Sequence, residues 1–225
     1  MADRKGKLLP VYFVPDQSGS MADFMGELNL ALSTLLDAMN EQPWAAAMVR
    51  FSVVGFSSAV IDHMSLKDLR FVPRMPTLVS QSSTSYNAIF TDLRARVESD
   101  VRTLQRDGYL VHRPVVFFLT DGYPTDEWEG PLERLKAEDF SFRPRILAFG
   151  IGEIDKEMIR KIASQGNYAF VTAKGTDTAV ALRKWAASFV KTIVKSGQSM
   201  AQGQDGLVLE KPEGFIELDV LPEEN

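Results

Sequence analysis

The chain has 225 residues, of which 45% are hydrophobic and 24% are charged, and its net charge is −5 at pH 7. This composition predicts one globular domain with a large core, and it argues against a disordered chain and against a basic nucleic-acid surface. The absence of cysteine excludes disulfides, thiolate metal sites and cysteine nucleophiles. No apolar run is long enough for a signal-peptide core or a membrane span. We therefore expect a cytoplasmic protein with neither a membrane nor a nucleic-acid partner.

Predicted strands and helices alternate along the chain. Short runs rich in apolar, β-branched and aromatic residues predict strands near residues 8–14, 48–56, 59–61, 114–120, 145–151 and 168–171. Apolar residues at helical spacing predict a first helix that opens near Ala22, and further helices at 86–107, 128–136, 156–162 and 177–194. This alternation predicts an α/β fold, a doubly wound and mostly parallel sheet with helices on both faces. After the weak strand at 59–61, the connection through Leu66, Leu69, Phe71 and Pro73 would form an edge hairpin.

The composition changes after the last predicted helix. Residues 196–206 are rich in Ser, Gln and Gly, which predicts a flexible linker. We therefore place one domain at residues 8–195 and a linker with a C-terminal tail at 196–225. The tail has enough apolar residues for one or two added strands, which would pack on the domain or on a partner.

Polar oxygen-bearing side chains follow two of the strongest predicted strands. Asp16, Ser18 and Ser20 alternate in the loop after the first strand, Asp121 follows strand 114–120, and Thr84 precedes the helix that lies between them. In an open α/β sheet, ligands bind beyond the carboxyl ends of the strands where the strand order reverses. We therefore expect these five side chains to converge at one edge of the sheet. Taken singly, the first three are also common helix caps, and Asp121 is an ordinary turn residue.

This set of side chains suits a small divalent cation. Carboxylate and hydroxyl oxygens are the hard ligands that Mg²⁺ prefers, and two carboxylates with three hydroxyls leave coordination positions open. Mg²⁺ is favoured over Ca²⁺ by the small, hydroxyl-rich set, whereas Mn²⁺ is not distinguished from Mg²⁺. The loops contain no obvious nucleophile or general base, so the set predicts binding of an acidic group from another protein.

Three motifs resemble those of von Willebrand factor A (VWA) domains with a metal-ion-dependent adhesion site (MIDAS). Residues 16–20 match the D-x-S-x-S motif, Thr84 resembles the threonine of the second loop, and residues 120–122 match T-D-G. The resemblance covers about residues 8–195 and implies a Rossmann-like α/β fold. It also implies a non-enzymatic, metal-dependent adaptor with Asp16, Ser18, Ser20, Thr84 and Asp121 as metal ligands. The family often has Gly before the threonine, and Ser83 stands there instead, so Ser85 or a bound water are alternatives to direct ligation by Thr84.

Two segments resemble one bacterial branch of this family. Residues 9–12 (LPVY) and 118–128 (FLTDGYPTDEW) are similar to cytoplasmic members of the TerY type, which are associated with tellurium resistance and stress response. That likeness implies a partner that offers an acidic residue to the metal, such as a protein kinase or phosphatase encoded nearby.

Two aromatic residues near the third loop, Tyr123 and Trp128, are candidates for an exposed rim that contacts this partner. The acidic residues Asp126, Glu127 and Glu129 are better explained by a helix N-terminus than by a second metal.

Two other functions stay open. One is a Mg²⁺-dependent aspartyl phosphotransferase of the haloacid dehalogenase type, and the other is a scaffold whose metal site is vestigial.

Overall fold

The computed structural model describes residues 5–204 and 206–218, and within them eight strands form one sheet. The strands are β1 Lys7–Pro15, β2 Val49–Phe56, β3 Val60–Lys67, β4 Leu110–Val111, β5 Val115–Thr120, β6 Arg145–Gly150, β7 Ala169–Thr172 and β8 Phe215–Glu217. The helices are α1 Met25–Asn40, α2 Pro43–Ala46, α3 Tyr86–Arg106, α4 Glu129–Lys136, α5 Lys156–Ile162 and α6 Thr178–Ala201. Short 3-10 segments lie at Gly19–Phe24, Leu69–Phe71 and Gly166–Tyr168.

The sheet has the order β3-β2-β1-β5-β6-β7-β8, and β4 pairs with the start of β1. Strands β1, β2, β5, β6 and β7 are parallel, while β3 and β8 are antiparallel at the two edges. The chain therefore runs outward from β1 to β3 and then returns to the other side of β1 at β5. This order confirms the predicted α/β fold with its edge hairpin, and it places the reversal of strand order between β1 and β5.

Both faces of the sheet are covered, which explains why β1 is continuously apolar. Leu9, Val11 and Phe13 lie in one core with residues of α1, α2 and α6. Tyr12 and Val14, on the opposite face, lie in a second core with residues of α3, α4 and α5. Because β1 is buried on both sides at the centre of the sheet, the loop at its end has a rigid support.

The last helix is longer than predicted, and the prediction of a linker that starts at Ser196 is wrong for residues 196–201. Ser196 donates its hydroxyl to the carbonyl oxygen of Thr192 at 2.6 Å and accepts the amide of Val208 at 2.9 Å. Gly197 allows α6 to approach α2 closely, since a Cβ there would lie 2.6 Å from the carbonyl oxygen of Ala45. The small residues that predicted flexibility are therefore packing positions in a helix.

The segment after α6 packs on the domain. Leu207 and Leu209 lie against the first core, and β8 pairs antiparallel with β7, so the tail adds one strand to the sheet. Residues 219–225 of the predicted tail lie outside the described residues. No helix in the described part of the chain is both long and apolar enough to span a bilayer.

Candidate metal site

Two carboxylates lie side by side at the carboxyl ends of β1 and β5. The strands pair in register with Pro15 opposite Leu119, so the residues that follow them are neighbours. Asp16 is fully buried, its amide donates to the carbonyl oxygen of Leu119 at 2.8 Å, and its Oδ2 accepts the hydroxyl of Thr120 at 2.6 Å. Asp121 is the next residue after Thr120, so both acidic residues of the predicted set reach one edge of the sheet.

The two serines link these carboxylates. Asp16 Oδ1 accepts the amide of Ser18 at 2.8 Å, the hydroxyl oxygens of Ser18 and Ser20 are 3.1 Å apart, and Ser20 donates to Asp121 Oδ1 at 2.8 Å. The side chain of Ser18 makes no capping hydrogen bond to the 3-10 segment that follows it. That segment also delays α1, which begins at Met25 and not near Ala22. The hydroxyls of the two serines thus face the carboxylates, and the helix-cap explanation does not account for them.

Thr84 borders the same space as Asp16 and Ser20. A Cβ built on Gly122 would lie 3.6 Å from Asp16 Oδ2, 3.8 Å from Thr84 Oγ1 and 3.9 Å from Ser20 Oγ. Three side-chain oxygens from two loops therefore lie within 4 Å of one point, which the missing side chain of Gly122 in the third loop leaves free. All five side chains of the predicted set lie at this edge. Asp16, Ser20 and Thr84 approach the Cβ position of Gly122, and Ser18 and Asp121 contact the hydroxyl of Ser20.

Ser85, the alternative to Thr84, is engaged elsewhere. Its hydroxyl donates to Asp126 Oδ2 at 2.5 Å and accepts the amide of Ala88 at 3.2 Å, at the start of α3. The backbone carbonyl of Thr84 is also fixed, since it accepts the hydroxyl of Thr125 at 2.6 Å. The structure therefore brings Thr84, and not Ser85, to the space beside Gly122.

Both carboxylates carry charge that the protein does not neutralise. Burial raises the pKa of Asp16, although the hydrogen bonds from Thr120 and Ser18 oppose the shift. Burial also raises the pKa of Asp121, against the hydrogen bond from Ser20. Among the described residues, no basic side chain contributes to either shift. A buried carboxylate without a cationic partner is costly, so this edge of the sheet favours a bound cation or a proton.

The described residues contain no group of three or more His, Cys, Asp or Glu side chains placed to hold a metal ion. Two carboxylates alone do not fill the coordination shell of a divalent cation. A cation at this edge would therefore depend on the hydroxyl oxygens of Ser18, Ser20 and Thr84, which agrees with the hard, hydroxyl-rich donor set that the sequence predicts.

Gln17 is a residue of this site that the sequence did not identify. It is fully buried, its amide donates to the carbonyl oxygen of Phe56 at 2.8 Å, and its Nε2 donates to that of Val79 at 2.6 Å. The main-chain carbonyl oxygen of Gln17 accepts the backbone amide of Gln81 at 2.5 Å. These bonds fasten the segment before Thr84 to the loop that carries the two serines, so Gln17 positions one ligand loop against the other.

A glycine in β2 makes room for Gln17. A Cβ on Gly55 would lie 1.7 Å from Gln17 Oε1, so any other residue at position 55 would displace the Gln17 side chain. The same Oε1 lies 2.7 Å from Nε2 of His63 on β3, so Gln17 also connects the loop to the edge hairpin. The sequence signal for this arrangement was a glycine inside an apolar strand, which is typical of a close approach by another group.

The two residues of the predicted aromatic rim differ. Tyr123 is 58% exposed, as expected for a contact residue. Trp128 is 6% exposed, and its ring centroid lies 5.8 Å from that of Tyr86 and 6.1 Å from that of Phe90. The prediction that Trp128 forms an exposed rim is therefore wrong, because the start of α4 packs its indole into the second core. Val79, on the opposite side of the site, is 54% exposed.

The acidic residues after the third loop have structural contacts. Asp126 accepts the hydroxyl of Ser85 and the amides of Tyr86 and Asn87, so it caps α3 from across the site. Glu129 lies 3.7 Å from the amine of Lys161. These contacts agree with a helix N-terminus and not with a second metal, although the capped helix is α3 and not the helix that follows Asp126.

The model of the von Willebrand factor type A domain family matches residues 11–184. No curated protein matches the chain. Many solved structures share its fold, and three of them serve as examples. Proximal thread matrix protein 1 from the mussel byssus is 22% identical, with a TM-score of 0.58, over 84% of this chain and 46% of that one. The same mussel protein with a zinc-occupied MIDAS motif is 18% identical, with a TM-score of 0.62, over 85% of this chain and 49% of that one. The pilus adhesin SpaC from Lactobacillus rhamnosus GG, in its open conformation, is 17% identical, with a TM-score of 0.61, over 86% of this chain and 31% of that one.

Because these sequence identities are low, the three structures support the fold assignment alone. The chain spans less than half of each of those proteins. The match to the family model supports membership of the family, because it extends from β1 into α6 and includes all three loops of the candidate site. VWA domains are usually non-catalytic modules that bind other proteins, typically through a metal ion at a MIDAS. The chain belongs to the von Willebrand factor type A domain family.

Proposed function

We propose that this protein is a non-enzymatic adaptor, which binds a divalent cation at the carboxyl edge of its sheet and, through it, an acidic residue of a protein partner. The observation that carries the proposal is the approach of oxygens from Asp16, Ser20 and Thr84 to one point beside Gly122. The carboxylates of the buried Asp16 and the half-buried Asp121, which have no basic partner among the described residues, supply the negative charge that a cation requires.

Each side chain has a distinct role in this proposal. Asp16 and Asp121 neutralise the cation, while Ser18, Ser20 and Thr84 donate uncharged oxygens, which leaves the ion electrophilic. A divalent cation held there would supply a Lewis-acidic attachment point for a carboxylate. Thr120 orients Asp16 through its hydroxyl, whose oxygen lies 2.8 Å from the hydroxyl of the fully buried Tyr86.

The identity of the metal follows from the ligands. An all-oxygen set with three hydroxyls favours Mg²⁺, with Mn²⁺ and Ca²⁺ as alternatives. The mussel relative was solved with zinc in its MIDAS motif, so Zn²⁺ belongs among the ions to be tested.

We also propose that the protein works in a bacterial, cytoplasmic system of tellurium resistance or stress response, with a protein kinase or phosphatase as its partner. The support is the likeness of residues 9–12 and 118–128 to TerY-type proteins. The exposed ring of Tyr123, one residue after Gly122, would contact that partner beside the metal.

The test compares the wild-type protein with Asp16→Asn, which keeps the shape of the side chain and removes its charge. Thermal unfolding with MgCl₂, MnCl₂, CaCl₂ or ZnCl₂ against EDTA reports metal binding, and affinity capture from a bacterial lysate under the same conditions reports the partner. We expect stabilisation by metal, and capture of a partner, for the wild type alone. Equal capture by both proteins with and without EDTA would contradict the proposal and favour a scaffold with a vestigial site. Hydrolysis of an aryl phosphate that Asp16→Asn abolishes would favour the phosphotransferase.

A further inference from the structure

Four arginines form a basic groove at the edge of the sheet opposite to the candidate metal site. Arg102 and Arg106 lie in the last turns of α3, Arg113 precedes β5, and Arg143 precedes β6. Arg113 and Arg143 line a cavity of about 550 Å³, and Arg102 and Arg106 line a neighbouring one of about 470 Å³. Both cavities share Gln105, so they are parts of one continuous surface.

Backbone carbonyls hold two of these guanidinium groups in place. Arg113 donates from Nε to the carbonyl oxygen of Arg143 at 3.0 Å and from Nη2 to that of Pro144 at 3.1 Å. Arg143 donates from Nη1 to the carbonyl oxygen of Glu138. A carbonyl orients a guanidinium without neutralising it, so both groups keep their full charge and further N–H donors.

In the described part of the chain, Glu98 is the one acidic side chain that forms an ion pair with any of the four arginines. Arg102 pairs with Glu98 at 2.7 Å on the exposed surface of α3, whereas Arg106 donates to the hydroxyl of Thr103. Burial lowers the pKa of Arg113, and the neighbouring guanidiniums of Arg143 and Arg145 lower it further. This concentration of positive charge stands out in a protein whose net charge is −5.

We infer that the basic groove binds an acidic segment of a partner polypeptide, at a site separate from the metal edge. Guanidinium forks match carboxylates in shape and charge. The partly exposed side chains of Val111 and Phe142 line the same cavity, and Arg102 lies over the Phe142 ring with its Cζ 4.8 Å from the ring centroid, so the groove combines charge with the apolar surface that suits a peptide. A nucleic acid is disfavoured, because the negative charge of the rest of the protein repels a long polyanion.

The test measures fluorescence anisotropy with a labelled twelve-residue peptide in which Glu and Asp alternate with Leu. The full chain is titrated at 50 and 200 mM NaCl. The groove variants are Arg106→Gln and Arg113→Gln. The matched control is Arg74→Gln, which removes the same charge from an exposed position outside the groove. Arg113→Lys keeps the charge and serves as a second variant, and circular dichroism checks that each protein is folded.

We expect binding that weakens with salt, and a loss of about fivefold or more in affinity for each of the two Gln variants of the groove. Arg74→Gln should stay within about twofold of the wild type, and Arg113→Lys should recover part of the affinity. All titrations are made in EDTA, so that no cation at the metal edge can bind the acidic peptide, and Asp16→Asn should then leave peptide binding unchanged. This inference and the metal-dependent function therefore succeed or fail separately. The groove inference is overturned if the wild type does not bind the peptide at 50 mM NaCl, or if Arg74→Gln weakens binding as much as the groove variants. It is also overturned if a dT12 oligonucleotide binds more tightly, or if 10 mM inorganic phosphate displaces the peptide completely.

Discussion

The substitution Gly122→Ala tests the candidate site without removing any ligand. The added methyl would lie 3.6 to 3.9 Å from oxygens of Asp16, Thr84 and Ser20, which is ordinary van der Waals contact in the metal-free protein. The φ angle of Gly122 lies outside the left-handed region, so alanine adopts the same backbone without strain. The methyl nevertheless occupies the space that the three oxygens surround, where it would compete with a cation or with the remaining oxygens of its shell.

The expected effects have opposite signs with and without metal. In EDTA, a tolerated Gly-to-Ala change stabilises a protein by about 0.4–1 kcal/mol, because it restricts the unfolded chain. For a protein of this size that corresponds to a rise in Tm of about 1–4 °C. With Mg²⁺ at one hundred times its Kd, binding stabilises the wild type by about 2.7 kcal/mol, or roughly 5–10 °C. We expect Gly122→Ala to lose this gain, so that it is the more stable protein in EDTA and the less stable one in Mg²⁺.

Differential scanning calorimetry in EDTA and over a range of MgCl₂ concentrations measures both effects. Gly26→Ala is the matched control, since Gly26 lies in α1 and a Cβ there meets nothing within 4 Å. Gly26→Ala should be more stable than the wild type both in EDTA and in Mg²⁺, and it should keep the full response to Mg²⁺. A response of Gly122→Ala within about 2 °C of the wild-type response would refute the reasoning, because the point beside Gly122 would then lie outside the cation site.

Three further substitutions test other parts of the structure. Gln17→Leu leaves the carbonyl oxygen of Val79 and Nε2 of His63 without their side-chain partner, at a cost of about 1–3 kcal/mol, and should weaken Mg²⁺ binding by loosening the segment before Thr84. Unchanged affinity by calorimetric titration would exclude a positioning role. Burial raises the pKa of Asp100, so the folded state holds the proton more tightly and stability falls as pH rises from the ordinary aspartate pKa through the raised one. Asp100→Asn should flatten that dependence in urea unfolding between pH 4 and 7, and an unaltered slope would contradict the assignment. Gly197→Ala places a methyl 2.6 Å from the carbonyl oxygen of Ala45 and should destabilise the protein by about 1–3 kcal/mol, seen as a lower urea midpoint; an equal midpoint would show that α2 and α6 separate freely.

The order of the sheet and the meeting of the candidate ligands were predictable for one physical reason. Parallel strands that neighbour each other end at the same edge, so polar residues placed directly after two apolar strands must lie close together. Asp16 and Asp121 follow this rule. Ser18 and Ser20 reach the same edge because they follow Asp16 in one loop. Thr84 borders the same space from the loop before α3.

The predictions failed where tertiary contacts outweighed local composition. Trp128 lies in a polar turn, yet its ring packs against Tyr86 and Phe90, which are about forty residues earlier in the chain. Ser196 and Gly197 have the composition of a linker, but in α6 Gly197 allows a close approach to α2, and Ser196 bonds to Thr192 and to the amide of Val208. Gln17 occupies a position that the D-x-S-x-S motif leaves unspecified, and its role depends on hydrogen bonds to segments that no local pattern connects to it.

The separation of the metal edge and the basic groove determines how they can influence each other. Arg113 and Asp121 lie at the two ends of β5, eight residues apart, which corresponds to about 26 Å at 3.3 Å per residue. The Debye length in physiological salt is about 8 Å, so direct electrostatic coupling between the two sites is strongly screened. Two partners could therefore bind at once, and occupancy of the groove should leave the affinity for Mg²⁺ unchanged. If saturating acidic peptide altered that affinity at 150 mM salt in the wild type but not in Arg113→Gln, the coupling would have to pass through a structural change along β5 or α3, the elements that connect the two edges.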